Sequence, residues 1–197
     1  LTAIKTEAKN ATIVLQAAAN PQLEGTAINL IDALADIKYS GAITLSEALT
    51  DATVLANVLA LTSGKVTAEV SGLTAAALVE ELADEKTVNA LTVTVADDAA
   101  ATTAADLKIL DAKTSVAVDA SAVTDITGTA AELKTVLAAK TITLDTTAVT
   151  VTVDGKVSAA DLNTIAKATE GKVTAEVEGS AAALNAALKN TNDSDKI

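Results

Sequence analysis

Cysteine, methionine, phenylalanine, tryptophan, arginine and histidine are absent from this 197-residue chain, and the only aromatic side chain is that of Tyr39. Without cysteine there is neither a disulfide nor a thiolate metal centre. Without histidine no side chain is poised for general-base work near neutrality. No nucleophile dyad, phosphate-cradling glycine loop or metal-ligand motif appears either, so the chain is not expected to be an enzyme. All 14 cationic side chains are lysines set against 26 acids, a formal net charge of −12. That balance excludes the basic footprint of a nucleic-acid binder and disfavours anionic lipid. No apolar run is long enough to cross a bilayer, so membrane insertion is not expected. The chain opens at Leu1 without a basic-then-apolar leader, as a fragment of something larger or a processed chain would.

What remains is a chain half of whose residues are apolar. Its core must be built from Ala, Val, Leu and Ile, which suit thin, closely spaced layers. Its most telling feature is a duplication. Gly64-Lys65-Val66-Thr67-Ala68-Glu69-Val70 recurs letter for letter as Gly171-Lys172-Val173-Thr174-Ala175-Glu176-Val177, and each copy is followed by Ala-Ala-Ala-Leu, at 75–78 and 181–184. Residues 12–34 also align with 115–137 without a gap. Repeats of this kind mark arrays of small stacked units.

Alternating segments recur at 12–15, 42–45, 66–70, 91–95, 115–118, 141–144 and 173–177, with starts about 23 to 31 residues apart. Alternation of β-branched or Leu residues with small or polar ones predicts half-buried strands. Between them the period lengthens to that of a helix, as at Leu30, Ile31 and Leu34 or Leu133, Val136 and Leu137, with Ser158 a candidate N-cap. Residues 1–114 read as units one to four with an N-terminal cap, 115–190 as units five to seven, and 191–197 as a polar, linking tail. The stretches 16–25 and 145–157 read as longer loops, the second with an extra strand at 149–153 closed by Asp154-Gly155.

Strand followed by helix, repeated, demands parallel strands, and crossovers in such sheets are right-handed. The expected fold is α/β: a right-handed solenoid of strand-helix repeats, with a parallel sheet on one face and helices on the other. Val66, Ala68, Val70, Val93, Val95, Val116, Val118, Ile142, Leu144, Val173 and Val177 are expected to face inward. A doubly wound sheet is the competing arrangement, but its strands would be apolar on both faces.

In such a stack the outward residues form columns about 4.8 Å apart. One expected column is Thr44, Thr67, Thr94, Ala117, Thr143 and Thr174. It is similar to the Thr arrays of ice-binding β-solenoids, although Lys65, Glu69, Lys172 and Glu176 interrupt the uncharged plane ice requires. The next holds Ser46, Glu69, Ala96, Asp119, Asp145 and Glu176. Neighbouring carboxylates repel, and Ca²⁺ would ease them, so Glu69, Asp119, Asp145 and Glu176 are the candidate metal ligands. Solvated, turn-forming Asp is the competing reading, and no cofactor other than calcium is suggested.

The stretches 123–133, 158–165 and 171–175 resemble repeats of very large, acidic, cysteine-free surface or secreted proteins of marine bacteria and cyanobacteria, and of phage fibre-like proteins. The resemblance implies an extracellular, repetitive, non-catalytic protein and carries over no functional residue. The expected function is therefore a structural or adhesive repeat segment at the cell surface or in a filament. Its expected partners are neighbouring repeats or copies of itself end to end. A calcium- or glycan-binding module using the exposed Thr and acidic columns is the alternative.

Overall fold

The computed structural model describes residues 22–192 and 194–197. The strand expected at 12–15, the cap at 1–11 and Pro21 lie outside the described residues. Within them strands and helices alternate: β1 (Leu23–Gly25), α1 (Ala27–Leu34), β2 (Ile43–Leu45), α2 (Ala52–Leu59), β3 (Val66–Leu73), α3 (Ala75–Leu82), β4 (Ala90–Val95), β5 (Thr102–Thr103) and α4 (Ala104–Lys113). Then follow β6 (Val118–Asp119), β7 (Asp125–Gly128), α5 (Ala130–Ala138), β8 (Ile142–Thr143), β9 (Thr150–Ser158), α6 (Ala159–Ala168), β10 (Val173–Glu178), α7 (Ala181–Ala187) and a closing 3-10 turn (Leu188–Asn190).

The helices share one local recipe. Thr26, Asp51, Thr74, Thr103, Thr129, Ser158 and Ser180 are N-caps, each side chain accepting the backbone N–H three residues on. Each such cap stabilises its helix by about 1 kcal/mol. Four residues after every cap stands a leucine: Leu30, Leu55, Leu78, Leu107, Leu133, Leu162 and Leu184. The first six are buried. An alanine always follows the cap directly, small enough for the first turn to approach its neighbour. In α5 Glu132 also reaches back to the Thr129 N–H, completing a capping box.

All pairings between the named strands are parallel. They form two sheets rather than the single one expected: β1-β2-β3-β4-β6-β8 and β10-β9-β7-β5. In the first, strand order is chain order, which leaves no topological switch point of the doubly wound kind. Each strand pairs with one about 20 to 25 residues away. Consecutive helices pack against one another in the same order. The backbone takes left-handed conformations part-way along several units. Gly72, Ala101 and Gly155 take positive φ values of 74, 70 and 73°, and the β3–β4 register shifts between Ser71 and Leu73.

The core is a continuous layer of strand Val and Ile against helix Leu. Val66, Ala68, Val70, Val93, Val95, Val118, Ile142 and Val173 are buried as alternation predicts, whereas Val116, Leu144 and Val177 are only partly so. The extra strand at 149–153 is present as the first half of β9, but Asp154-Gly155 bends the strand instead of closing it. Strands β1, β5 and β7 are additions to the expected set; they are two to four residues long, too short for alternation to register. Leu23–Gly25 therefore corrects the reading of 16–25 as a loop.

The duplicated heptad explains its own first letter. A Cβ on Gly64 would lie 2.4 Å from the Gly41 carbonyl oxygen, and one on Gly171 would lie 2.0 Å from that of Val149. Glycine is required where the heptad passes the backbone of the preceding unit.

Candidate functional site

The outward columns are not the ones sequence spacing suggested. Thr44 does lie opposite Thr67, but Thr67 lies opposite Ala90, while Thr94 stands between Ser71 and Asp119. The expected Thr column is thus broken at its third member. The offset from β3 to β4 is about 23 residues, four short of the step that Thr67 to Thr94 would need. A different row forms in the second sheet, where Thr103, Thr127, Thr152 and Thr174 are register partners in succession, ending at Lys196. Two of its hydroxyls are already engaged: Thr103 caps α4 and Thr127 Oγ1 donates to Asp154 Oδ1 at 2.9 Å.

The acidic column is broken in the same way. Glu69 faces Thr92, Asp119 faces Thr94 and Thr143, and Glu176 faces Lys156, whose Nζ lies 3.6 Å from Glu176 Oε1. Asp145 falls just beyond β8. The register therefore does not bring Glu69, Asp119, Asp145 and Glu176 together, and among the described residues no three acidic side chains converge on a metal-sized space.

Asp119 and Asp145 instead repeat one another's local turn. Asp119 Oδ1 accepts the Ser121 N–H at 3.0 Å, and Asp145 Oδ1 accepts the Thr147 N–H at 3.0 Å and its hydroxyl at 2.5 Å. The hydroxyl and then the N–H of Ser121 hold Asp119 below the usual carboxylate range, and those of Thr147 do the same for Asp145. Other acids tie neighbouring units. Asp97 accepts both the N–H and the hydroxyl of Thr124 at 2.9 Å, which lowers its pKa, and Thr141 Oγ1 donates to Asp111 Oδ2 at 3.0 Å. The Lys134 ammonium rests on Asp161, and the Thr150 hydroxyl on Asp125.

A second row lies where helices return to strands. Thr62 Oγ1 donates to the Gly41 carbonyl at 2.7 Å, buried Asn89 Oδ1 accepts the Val66 N–H at 2.8 Å, and buried Thr114 Oγ1 donates to Leu91 O at 2.7 Å. Thr169 donates to Thr146 O at 3.0 Å, and Asp195 Oδ1 accepts the Val173 N–H at 2.7 Å. These side chains satisfy backbone groups that no ladder reaches. They also correct the view of 191–197 as a linking tail: Lys196 bridges to Thr174 and Asn192 donates to Glu170 O and Gly171 O at 3.3 Å.

A concave surface lies at this end. A groove of about 590 Å³ is lined by Ala175, Val177, Leu184, Leu188, Lys196 and Ile197. It is bounded by β10, the terminal strand of its sheet. Leu188 and Ile197 are 46% and 41% exposed there. Sequence reasoning missed this groove, although the leucine spacing of α3 recurs at α7 as Leu184 and Leu188. Among the described residues no helix is long and apolar enough to cross a membrane. The chain matches no protein-family model, no curated protein and no solved structure.

Proposed function

We propose that this chain is a structural or adhesive repeat segment of an extracellular surface or filament-forming protein, built as a right-handed solenoid of strand-helix units and without catalytic activity. The observation that supports this reading is the pairing rule. Each strand is hydrogen-bonded to a strand about one unit away in sequence, and the first sheet follows chain order throughout. When each unit touches only its neighbours, length grows by duplication without redesign of a core, and the duplicated heptad is what such growth leaves behind. The right hand follows from the rule for parallel crossovers.

The exposed acids support a scaffold rather than a metal-binding face, because Asp97, Asp119, Asp145 and Asp161 each spend oxygens on neighbouring N–H, hydroxyl or ammonium groups. An extracellular setting fits the cysteine-free, strongly acidic composition. Small-angle scattering and electron microscopy of the purified protein test the reading. Rods of constant width, or threads of such rods, are the expected result. An isotropic globule would overturn it.

A further inference from the structure

Asp154-Gly155 is the one place in the chain where glycine follows an aspartate or asparagine, and the fold puts it at a bulge. Between the register pairs Thr152 with Thr174 and Lys156 with Glu176, β9 passes through Val153, Asp154 and Gly155 where β10 passes through Ala175 alone. On the other side, pairing with β7 ends at Gly128 opposite Val153. Neither neighbouring strand therefore offers a register partner to Asp154 or Gly155. Both residues are exposed, Gly155 has a φ of 73°, and a Cβ placed on it would meet nothing within 4 Å. One oxygen of Asp154, Oδ1, is tied to the Thr127 hydroxyl at 2.9 Å.

Other aspartates are held differently. Asp119 and Asp145 fold back on the N–H groups of Ser121 and Thr147, and the residues after them, Ala120 and Thr146, carry a Cβ that crowds an attacking amide. Asp36 also has a positive φ, 64°, but it is followed by β-branched Ile37, whose N–H donates to Leu34 O at 2.9 Å. Ser71-Gly72 occupies a similar bulge in β3, with a φ of 74° at the glycine, and Ser71 has no carboxyl group.

We propose that Asp154-Gly155 is a modification site, at which the folded chain rearranges to isoaspartate. The Gly155 nitrogen attacks Asp154 Cγ; a C–N bond forms, the Cγ–O bond breaks, and the carboxyl O–H leaves with the amide proton as water. Water then opens the five-membered imide at either carbonyl. Opening at Cγ restores aspartate, whereas opening at the Asp154 main-chain carbonyl leaves the chain running through Cβ and Cγ with a free carboxylate on Cα. No oxidant or cofactor is consumed. Glycine favours the step because no side chain shields its nitrogen and its backbone turns freely. The bulge removes the ladder that would otherwise fix the two groups. The product lengthens β9 by one backbone atom between its pairing with β7 and its later pairing with β10, so the change acts on a joint of three strands. Its new carboxylate is the kind of group that an isoaspartate-specific methyltransferase esterifies.

The test is incubation of the full, folded chain at slightly acid pH and body temperature for several weeks. Protease mapping with electron-transfer fragmentation then locates isoaspartate, and methyl transfer from S-adenosylmethionine by an isoaspartate-specific methyltransferase counts it. Isoaspartate at position 154 should accumulate about tenfold faster or more than at Asp97, Asp119 or Asp145 in the same sample. Its rate in the folded chain should also lie within about tenfold of that in a free peptide of residues 150–158, because the bulge imposes little protection. Asp154→Glu keeps the charge but would need a less favourable six-membered imide, and it should abolish the signal with the circular dichroism of the fold unchanged. A folded-chain rate below that window, no excess over the other aspartates, or an equal methyl signal from Asp154→Glu would overturn the proposal. The inference rests on the local bulge and stands apart from the array reading.

Discussion

At the scale of single residues, small polar side chains do the joining. Thr114 is the clearest case: its buried hydroxyl accepts the N–H of Leu91 at 3.0 Å and of Val116 at 3.2 Å while donating to Leu91 O. Thr114→Val keeps the shape and removes the partner of those buried N–H groups, and should cost about 1–3 kcal/mol in urea unfolding. Gly64→Ala and Gly171→Ala force a methyl onto a backbone carbonyl of the preceding unit, and each should destabilise by about 1–3 kcal/mol by the same measurement. The acids carry a pH signature. Asp97, Asp119, Asp145, Glu132 and Asp161 have lowered pKa values in the fold. Their contribution is present in full above the pKa of the unfolded chain and is lost as pH falls through the lower folded values. Melting temperature should hold from neutrality to about pH 4 and decline below it. These oxygens are already occupied, so calorimetry with millimolar Ca²⁺ should give no heat attributable to Asp119 or Asp145, and no change in melting temperature.

At the scale of elements, alternation and leucine spacing made every helix and the longer strands readable, because both report directly which face is buried. The short strands β1, β5 and β7 carry too little pattern to be placed by themselves. Of the expected registers, Thr44 opposite Thr67 is observed, between segments of different sequence. The unequal unit lengths, and the bends at Gly72 and Gly155, are set by packing between units, and so the expected Thr and acidic columns slipped. The capping scheme was visible at Ser158 and is general. Thr103→Ala should therefore lose about 1 kcal/mol. The paired leucines allow a stricter comparison. Leu78→Ala removes a side chain with no exposed surface and should cost about 2–5 kcal/mol. Leu184→Ala, its half-buried counterpart, should cost well under half as much in the same denaturant series.

At the scale of the molecule, strands and helices obey different natural spacings. Parallel strands sit about 4.8 Å apart, whereas packed helices need about 8–10 Å even when alanine lines the contact. A layer of one bonded in step to a layer of the other cannot run straight. In the proposed solenoid the rod should therefore bow, with the narrower strand layers inside the bend and the helices fanned along the outside. Longer assemblies of such units would then close towards rings or wind as spirals, with a radius fixed by how tightly Ala27, Ala75, Ala104 and Ala159 let adjoining helices meet.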